Sequence, residues 1–220
     1  MNNNIQKKFA KGLKSVLSDD KCDEAKILNF NSIVEHVIQS EPNVCSSGCA
    51  WCCYQPVDIY PKEKLIITKY IVEKLSQIER EFIQDSANHY IDYYNTIYNE
   101  NIKQYQQLAS KNDTDVGSVY EYMLSIVTKK PIKCPFLRTD NTCLIYPVRP
   151  LMCRTHAVSS EPDACIENYH RTPSPHSRYI SITAHHILKE DNNHTNPIAL
   201  VRAIAEVIGL EKTILEIEHS

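Results

Sequence analysis

Apolar residues recur at helical spacing along most of this chain. Ile5, Phe9, Leu13, Val16 and Leu17 mark a weakly amphipathic helix over 5–17. A polar break at Ser18, Asp19 and Asp20 separates it from a second helix over 24–39. That helix turns Ile27, Leu28, Ile33, Val34, Val37 and Ile38 inward, and Pro42 stops it. Val57 to Tyr60 reads as a short extended piece. Pro61 suits the first turn of the next helix, because its missing N–H costs nothing there. Leu65, Ile66, Val72, Leu75 and Ile78 follow at helical spacing. From Glu79 to about Ala109 the pattern predicts one long amphipathic helix or two stacked ones. The tyrosines in that stretch, among them Tyr90 and Tyr94, are read as core edge, with rings inward and hydroxyls at the solvent.

Asp113 or Thr114 can cap a further helix that carries Val116 to Val127 and ends at Pro131. Four prolines between 131 and 150 keep the next segment irregular and stiff. A proline-rich loop is expected over 161–175 and a helix over 176–189, with Tyr179, Ile180, Ile182, Ile187 and Leu188 apolar. Asn196 as N-cap, Pro197 as first residue and Gly209 as stop punctuate a last helix faced by Ile198, Val201, Ile204 and Ile208. A short helical tail through Ile217 is expected after it. The pattern predicts a mainly α fold, a single helical domain over 1–220. Its helical flanks, 1–40 and 176–218, enclose a cysteine-rich region over 45–155. Two irregular cysteine-rich loops in that region are expected to converge on a metal or iron–sulfur site.

Composition narrows the function. Only four of the 220 residues are glycine, which argues against glycine-rich nucleotide loops. A net charge of -3 predicts no strong attraction to nucleic acid or to anionic lipid. The polar start is not a signal peptide, and no apolar run approaches a membrane span. The expectation is a cytoplasmic protein that binds neither nucleic acid nor membrane and has room for an unknown protein partner. In the cytosol, nine cysteines point to metal ligands or catalytic groups rather than disulfides.

The cysteines fall into two groups. Cys45, Cys49, Cys52 and Cys53 lie within nine residues, spaced by the small Ser46, Ser47, Gly48 and Ala50. Cys134, Cys143 and Cys153 form the second group. Thiolates bind soft or borderline metals such as zinc, cuprous copper or iron in iron–sulfur clusters. Seven cysteines exceed the four of one structural zinc or one cubane cluster. The surplus predicts two metals, or one cluster with extra thiols nearby. Cys165 and His156 are candidates for a further position, and the lone Cys22 is expected to be a buried structural residue. Arg149, Arg154 and Lys133 are candidates to offset the thiolate charge, with pairing to Asp58, Glu63 or Asp140 as the competing expectation. The Cys45-x3-Cys49-x2-Cys52 run also matches the cluster spacing of radical S-adenosylmethionine enzymes. Those enzymes need strands and glycine-rich segments that this sequence lacks.

Together, Cys45-x3-Cys49-x2-Cys52-Cys53, Cys134-Pro135-Phe136-Leu137, Cys143-x-Ile145-Tyr146-x2-Arg149-Pro150 and Cys153-Arg154 resemble the CxxCxxCC cysteine-cluster family. That family is also known as a zinc- or iron-chelating domain, or as YkgJ-type proteins. The resemblance implies a bacterial, mostly helical protein that binds a metal or an iron–sulfur cluster. One branch, the flagellin lysine N-methylases, implies S-adenosylmethionine-linked protein modification.

The first reading is a zinc- or iron–sulfur-binding protein with Cys45, Cys49, Cys52, Cys53, Cys134, Cys143 and Cys153 as ligands. The Cys-x3-Cys-x2-Cys run, without paired Cys-x2-Cys knuckles, favours iron over zinc. The alternatives are a metal-dependent enzyme, redox or S-adenosylmethionine-linked, and a zinc-stabilised protein-interaction module. The residues leave open whether there is catalysis.

Overall fold

The computed structural model describes residues 3–19, 21–40, 48–111, 126, 131–157 and 174–210. The expected helix from Asp113 or Thr114 to Val127 apart from Ile126, most of the 161–175 loop, Pro42 and the tail beyond Leu210 lie outside the described residues. So do Cys45 and Cys165.

The fold is mostly helical. Helices α1 (Asn3–Leu17) and α2 (Asp23–Gln39) pack against each other. Phe9, Leu13 and Leu17 form the buried stripe of α1. Ile27, Phe30, Val34 and Ile38 form that of α2, where Asp23 and Glu24 suit the positive end of the helix dipole. Asn31 also lies in the α2 stripe. It is 1% exposed, and neither polar atom of its side chain has a hydrogen-bond partner.

Strand β1 (Asp58–Ile59) follows the first cysteine segment, and Tyr60 caps helix α3 (Pro61–Lys74) with Pro61 in its first turn. The buried face of α3 is Ile66, Ile67 and Ile71, whereas Leu65 and Val72 are exposed. Of the expected positions, Ile66 and Leu75 are buried while Leu65, Val72 and Ile78 are exposed, because adjacent apolar residues such as Leu65, Ile66 and Ile67 do not reveal which one points inward. Leu28 and Ile182 likewise lie on the solvent side rather than the core side. Helix α4 (Gln77–Lys111) runs unbroken, so the long-helix alternative is the correct one. Ile83, Ala87, Tyr90, Ile91 and Ile97 are its buried positions, and Tyr90 stacks on the partly buried Tyr94.

Helix α5 (Leu151–Thr155) is short and packs on α2, β1 and helix α6 (Pro175–Asp191). Ser174 caps α6, accepting a hydrogen bond from Ser177 N at 3.1 Å, and Pro175 opens its first turn. Helix α6 also packs on α1 and α2. Its end holds the start of α3: Asn192 Oδ1 accepts from Lys62 N, and Lys62 Nζ reaches Asp191 at 2.8 Å.

The expected last helix starts later than its punctuation suggests. Ile198–Ala199 is strand β2, antiparallel to β1, with Asp58 opposite Ala199 and Ile59 opposite Ile198. Helix α7 (Leu200–Ile204) begins only after it. Tertiary strand pairing overrides the local Asn196–Pro197 signal here. Gly209 does end the turns after α7: its φ is 66°, a region that favours glycine, and Leu210 N donates to Ala205 O at 2.9 Å. Among the described residues, no helix is long and apolar enough to cross a membrane.

Candidate metal centre

Each cysteine segment is shaped locally before the two meet. Gly48 enters the first with φ 86°, a conformation side chains rarely adopt. A 3₁₀ turn over Trp51–Tyr54 follows, in which Cys53 N donates to Ala50 O at 2.9 Å. The second segment doubles back between Leu137 and Cys143. Arg138 N donates to Thr142 O, Leu144 N donates to Phe136 O, and Asn141 takes the left-handed position with φ 63°. Asp140 Oδ1 accepts from both Thr142 N and Thr142 Oγ1, closing the bend. The turn returns Cys143 toward Cys134. Arg138 ties it to Glu79 on α4 at 2.5 Å. A direct backbone bond joins the two segments: Cys134 N donates to Cys53 O at 2.7 Å.

The segment beyond Cys143 is held by two acids, the buried Glu63 and the half-buried Glu35. Glu63 on α3 is 1% exposed; its Oε1 accepts from Leu151 N at 2.6 Å and its Oε2 from Tyr60 N at 2.9 Å. One carboxylate thus fixes the starts of both α3 and α5, the helix that carries Cys153. Glu35 on α2 takes two arginines, Arg149 Nη2 at 2.7 Å and Arg154 Nη1. Arg154, with a side chain only 5% exposed, also donates through Nε to Arg149 O at 2.9 Å and through Nη2 to Pro147 O at 2.8 Å. The guanidinium of Arg149 lies 4.0 Å over the Tyr146 ring.

Cys49, Cys52, Cys53, Cys134, Cys143 and Cys153 all line one cavity of about 430 Å³. Glu35, Asn141, Thr142, Tyr146, Arg149, Arg154 and His156 share its wall. The six cysteines are half-buried free thiols. They line the cavity without closing on one point: among the described residues, no three His, Cys, Asp or Glu side chains are gathered tightly enough to hold an ion.

The thiols do not ionise alike. A hydrogen bond from the Cys53 thiol holds Cys52 down at about 7, helped by the Arg149 charge against the cost of burial. Cys53, the donor in that bond, is pushed far up, by the bond itself and then by burial. Burial lifts Cys134 to about 12 and raises Cys143 and Cys153, and neighbouring thiols add to the rise in all three. Cys52 apart, thiols crowded in this way stay protonated unless a cation enters to balance them. A soft or borderline metal ion supplies that balance and prefers sulfur donors, so the donor set fits such a group.

Of the seven cysteines expected to be ligands, six share the cavity, and Cys45 lies outside the described residues. His156 lies on the cavity wall, and Cys165 is outside the described residues. Cys22 corrects an expectation: it is exposed, at the N-cap of α2, and not a buried core residue. Lys133 is exposed and is not among the residues that line the cavity. Arg149 and Arg154 do stand at the site, and both make their ion pair with Glu35 rather than with Asp58, Glu63 or Asp140. Neither Glu35 nor the structural role of Glu63 was visible in the sequence. The only local trace is Glu63 three residues after the cap of a proline-initiated helix.

A family model, CxxCxxCC, described as "Putative zinc- or iron-chelating domain", matches residues 44–174, more than half of the chain. No curated protein and no solved structure matches it.

Proposed function

The chain belongs to the CxxCxxCC family of zinc- or iron-chelating domains, and from that premise we propose that its two cysteine segments hold one metal centre between them. The ligands are drawn from Cys45, Cys49, Cys52, Cys53, Cys134, Cys143 and Cys153. The observation that carries this reading is the single cavity shared by six of these thiols, with the direct bond from Cys134 N to Cys53 O behind it. Loading would draw the wall inward, since no three of the described thiols are gathered closely enough to hold an ion. Bound metal would stabilise the thiolates of Cys134, Cys143 and Cys153, which burial otherwise keeps protonated. An iron–sulfur cluster is the favoured occupant, because the Cys-x3-Cys-x2-Cys run supplies three closely spaced thiols. Zinc, as one or two ions, is the alternative.

A second reading is a metal-dependent enzyme, and the size of the cavity favours it. A volume of about 430 Å³ falls within the range of small-molecule sites and exceeds what one ion needs. Asn141, Thr142 and Tyr146 on the same wall give a co-substrate polar and aromatic partners. Redox chemistry and S-adenosylmethionine-linked modification both fit such a site. The protein is proposed to act in the cytoplasm.

Anaerobic purification with metal analysis and a visible spectrum tests the centre. The expected result is a brown protein with iron and acid-labile sulfide. A colourless protein with two zinc ions per chain would sink the cluster and keep the chelating site. Cys134→Ser and Cys143→Ser should each lower the metal content. Unchanged stoichiometry in both would remove the second segment from the ligand set.

A further inference from the structure

We infer that Arg149 serves the loaded centre as a hydrogen-bond donor, giving its Nε–H to a cysteine thiolate on the cavity wall. The inference rests on the metal-binding reading above and concerns how this chain stabilises the charge that loading creates.

Four thiolates on a divalent ion leave a net charge of about -2, which needs donors or cations beside the sulfurs. Two arginines share the cavity with the thiols. Every nitrogen of the Arg154 guanidinium is already engaged. Its Nε, Nη1 and Nη2 are committed to Arg149 O, Glu35 and Pro147 O, so it is spent on holding the segment in shape.

Arg149 differs in one respect. Its Nη2 is fixed by Glu35 at 2.7 Å and its guanidinium face by the Tyr146 ring, but its Nε is buried with no hydrogen-bond partner. A buried N–H left without an acceptor is destabilising. A group pinned at one end and on one face, yet short of an acceptor at a third position, fits an acceptor that arrives with the ligand. The six thiols line the same cavity as Arg149 and are the acceptors that loading would create there. Lysine at this position would keep the charge and lose the N–H in the plane of the fork.

The test uses the full chain, reduced and metal-free, titrated with zinc and with cobalt(II) as an optical probe. Arg149→Lys keeps the charge and removes the Nε–H fixed in the guanidinium plane. Glu35→Gln weakens the anchor shared by both arginines and leaves the donor in place. A hydrogen bond to sulfur lowers the energy of its lone pair, so losing it moves the sulfur-to-cobalt charge-transfer band to longer wavelength. Arg149→Lys is expected to show that shift and a 10–100-fold loss of zinc affinity, the range for outer-shell partners. Glu35→Gln is expected to lower the unfolding midpoint with the band unmoved. Wild-type affinity and band position in Arg149→Lys would overturn the inference. An equal band shift in Glu35→Gln would also overturn it, by making Arg149 a scaffold residue. A wild-type protein that takes up neither metal would overturn the metal-binding reading itself, and this inference with it.

Discussion

Replacing Glu63 with glutamine tests the link between α3 and the helix that carries Cys153. The two carboxylate oxygens each accept one buried backbone N–H, from Tyr60 and from Leu151. Glutamine keeps one acceptor and puts an NH₂ against the other N–H, which leaves that donor unmet at a cost of about 1–3 kcal/mol. A second effect works against this with pH. Burial lifts the Glu63 carboxyl from its ordinary 4.5 to about 7, although the two N–H donors and the charge of Arg154 pull the other way. The folded state therefore holds the Glu63 proton more tightly than the unfolded chain does. The stability this confers is fully present below about 4.5 and is lost as pH rises through about 7. At ~1.36 kcal/mol per pKa unit, the loss is at most roughly 3 kcal/mol. Glutamine does not titrate. Glu63→Gln should then be destabilising at pH 5 and near neutral, or mildly stabilising, at pH 8. Urea unfolding of the reduced, metal-free protein and its variant at both pH values measures the difference directly. A larger penalty at pH 8 than at pH 5 would refute the reasoning. It would mean that the two N–H donors outweigh burial and keep the carboxylate ionised throughout.

Asn31→Leu should raise the thermal midpoint, because it replaces a buried amide with no partners by an apolar side chain of similar size; a lower midpoint would point to a bound water bridging the amide. Arg154→Ala removes donors to Glu35, Arg149 O and Pro147 O together, and should cost about 3 kcal/mol or more in chemical denaturation. Cys22→Ser should change neither metal content nor stability, since the thiol is exposed and far along the chain from both cysteine segments. A fall in metal content in that variant would enlarge the ligand set.

The helices were largely legible in the sequence, and the reasons are local. The apolar stripes of α1 and α2 and the proline starts of α3 and α6 are short-range signals. What failed depended on distant partners. Ile198 and Ala199 look like the first turn of a helix until Asp58 and Ile59 pair with them from some 140 residues away. Leu65 and Val72 fit a helical stripe as well as Ile67 and Ile71 do, and only packing selects between them. In the site, the cysteines announced themselves by residue type and spacing. Glu35 and Glu63 did not, because an acid on a helix reads as a solvated face. Apart from Tyr60 N, their arginine and N–H partners lie 88 to 119 residues further along.

The wall of the cavity has a consequence for biosynthesis. Its residues run from Glu35 to Leu200, and Leu200 N donates to Val57 O at 2.8 Å, beside the first cysteine segment. A ribosome adding about 5–20 residues per second exposes Cys49, Cys52 and Cys53 several seconds before Leu200 is made. During that interval the nascent chain carries a cluster of thiols with no wall around them, open to oxidation and to any loosely bound ion. Insertion of the correct metal therefore belongs after translation of the C-terminal elements. A cell that makes this protein needs its thiols kept reduced until then.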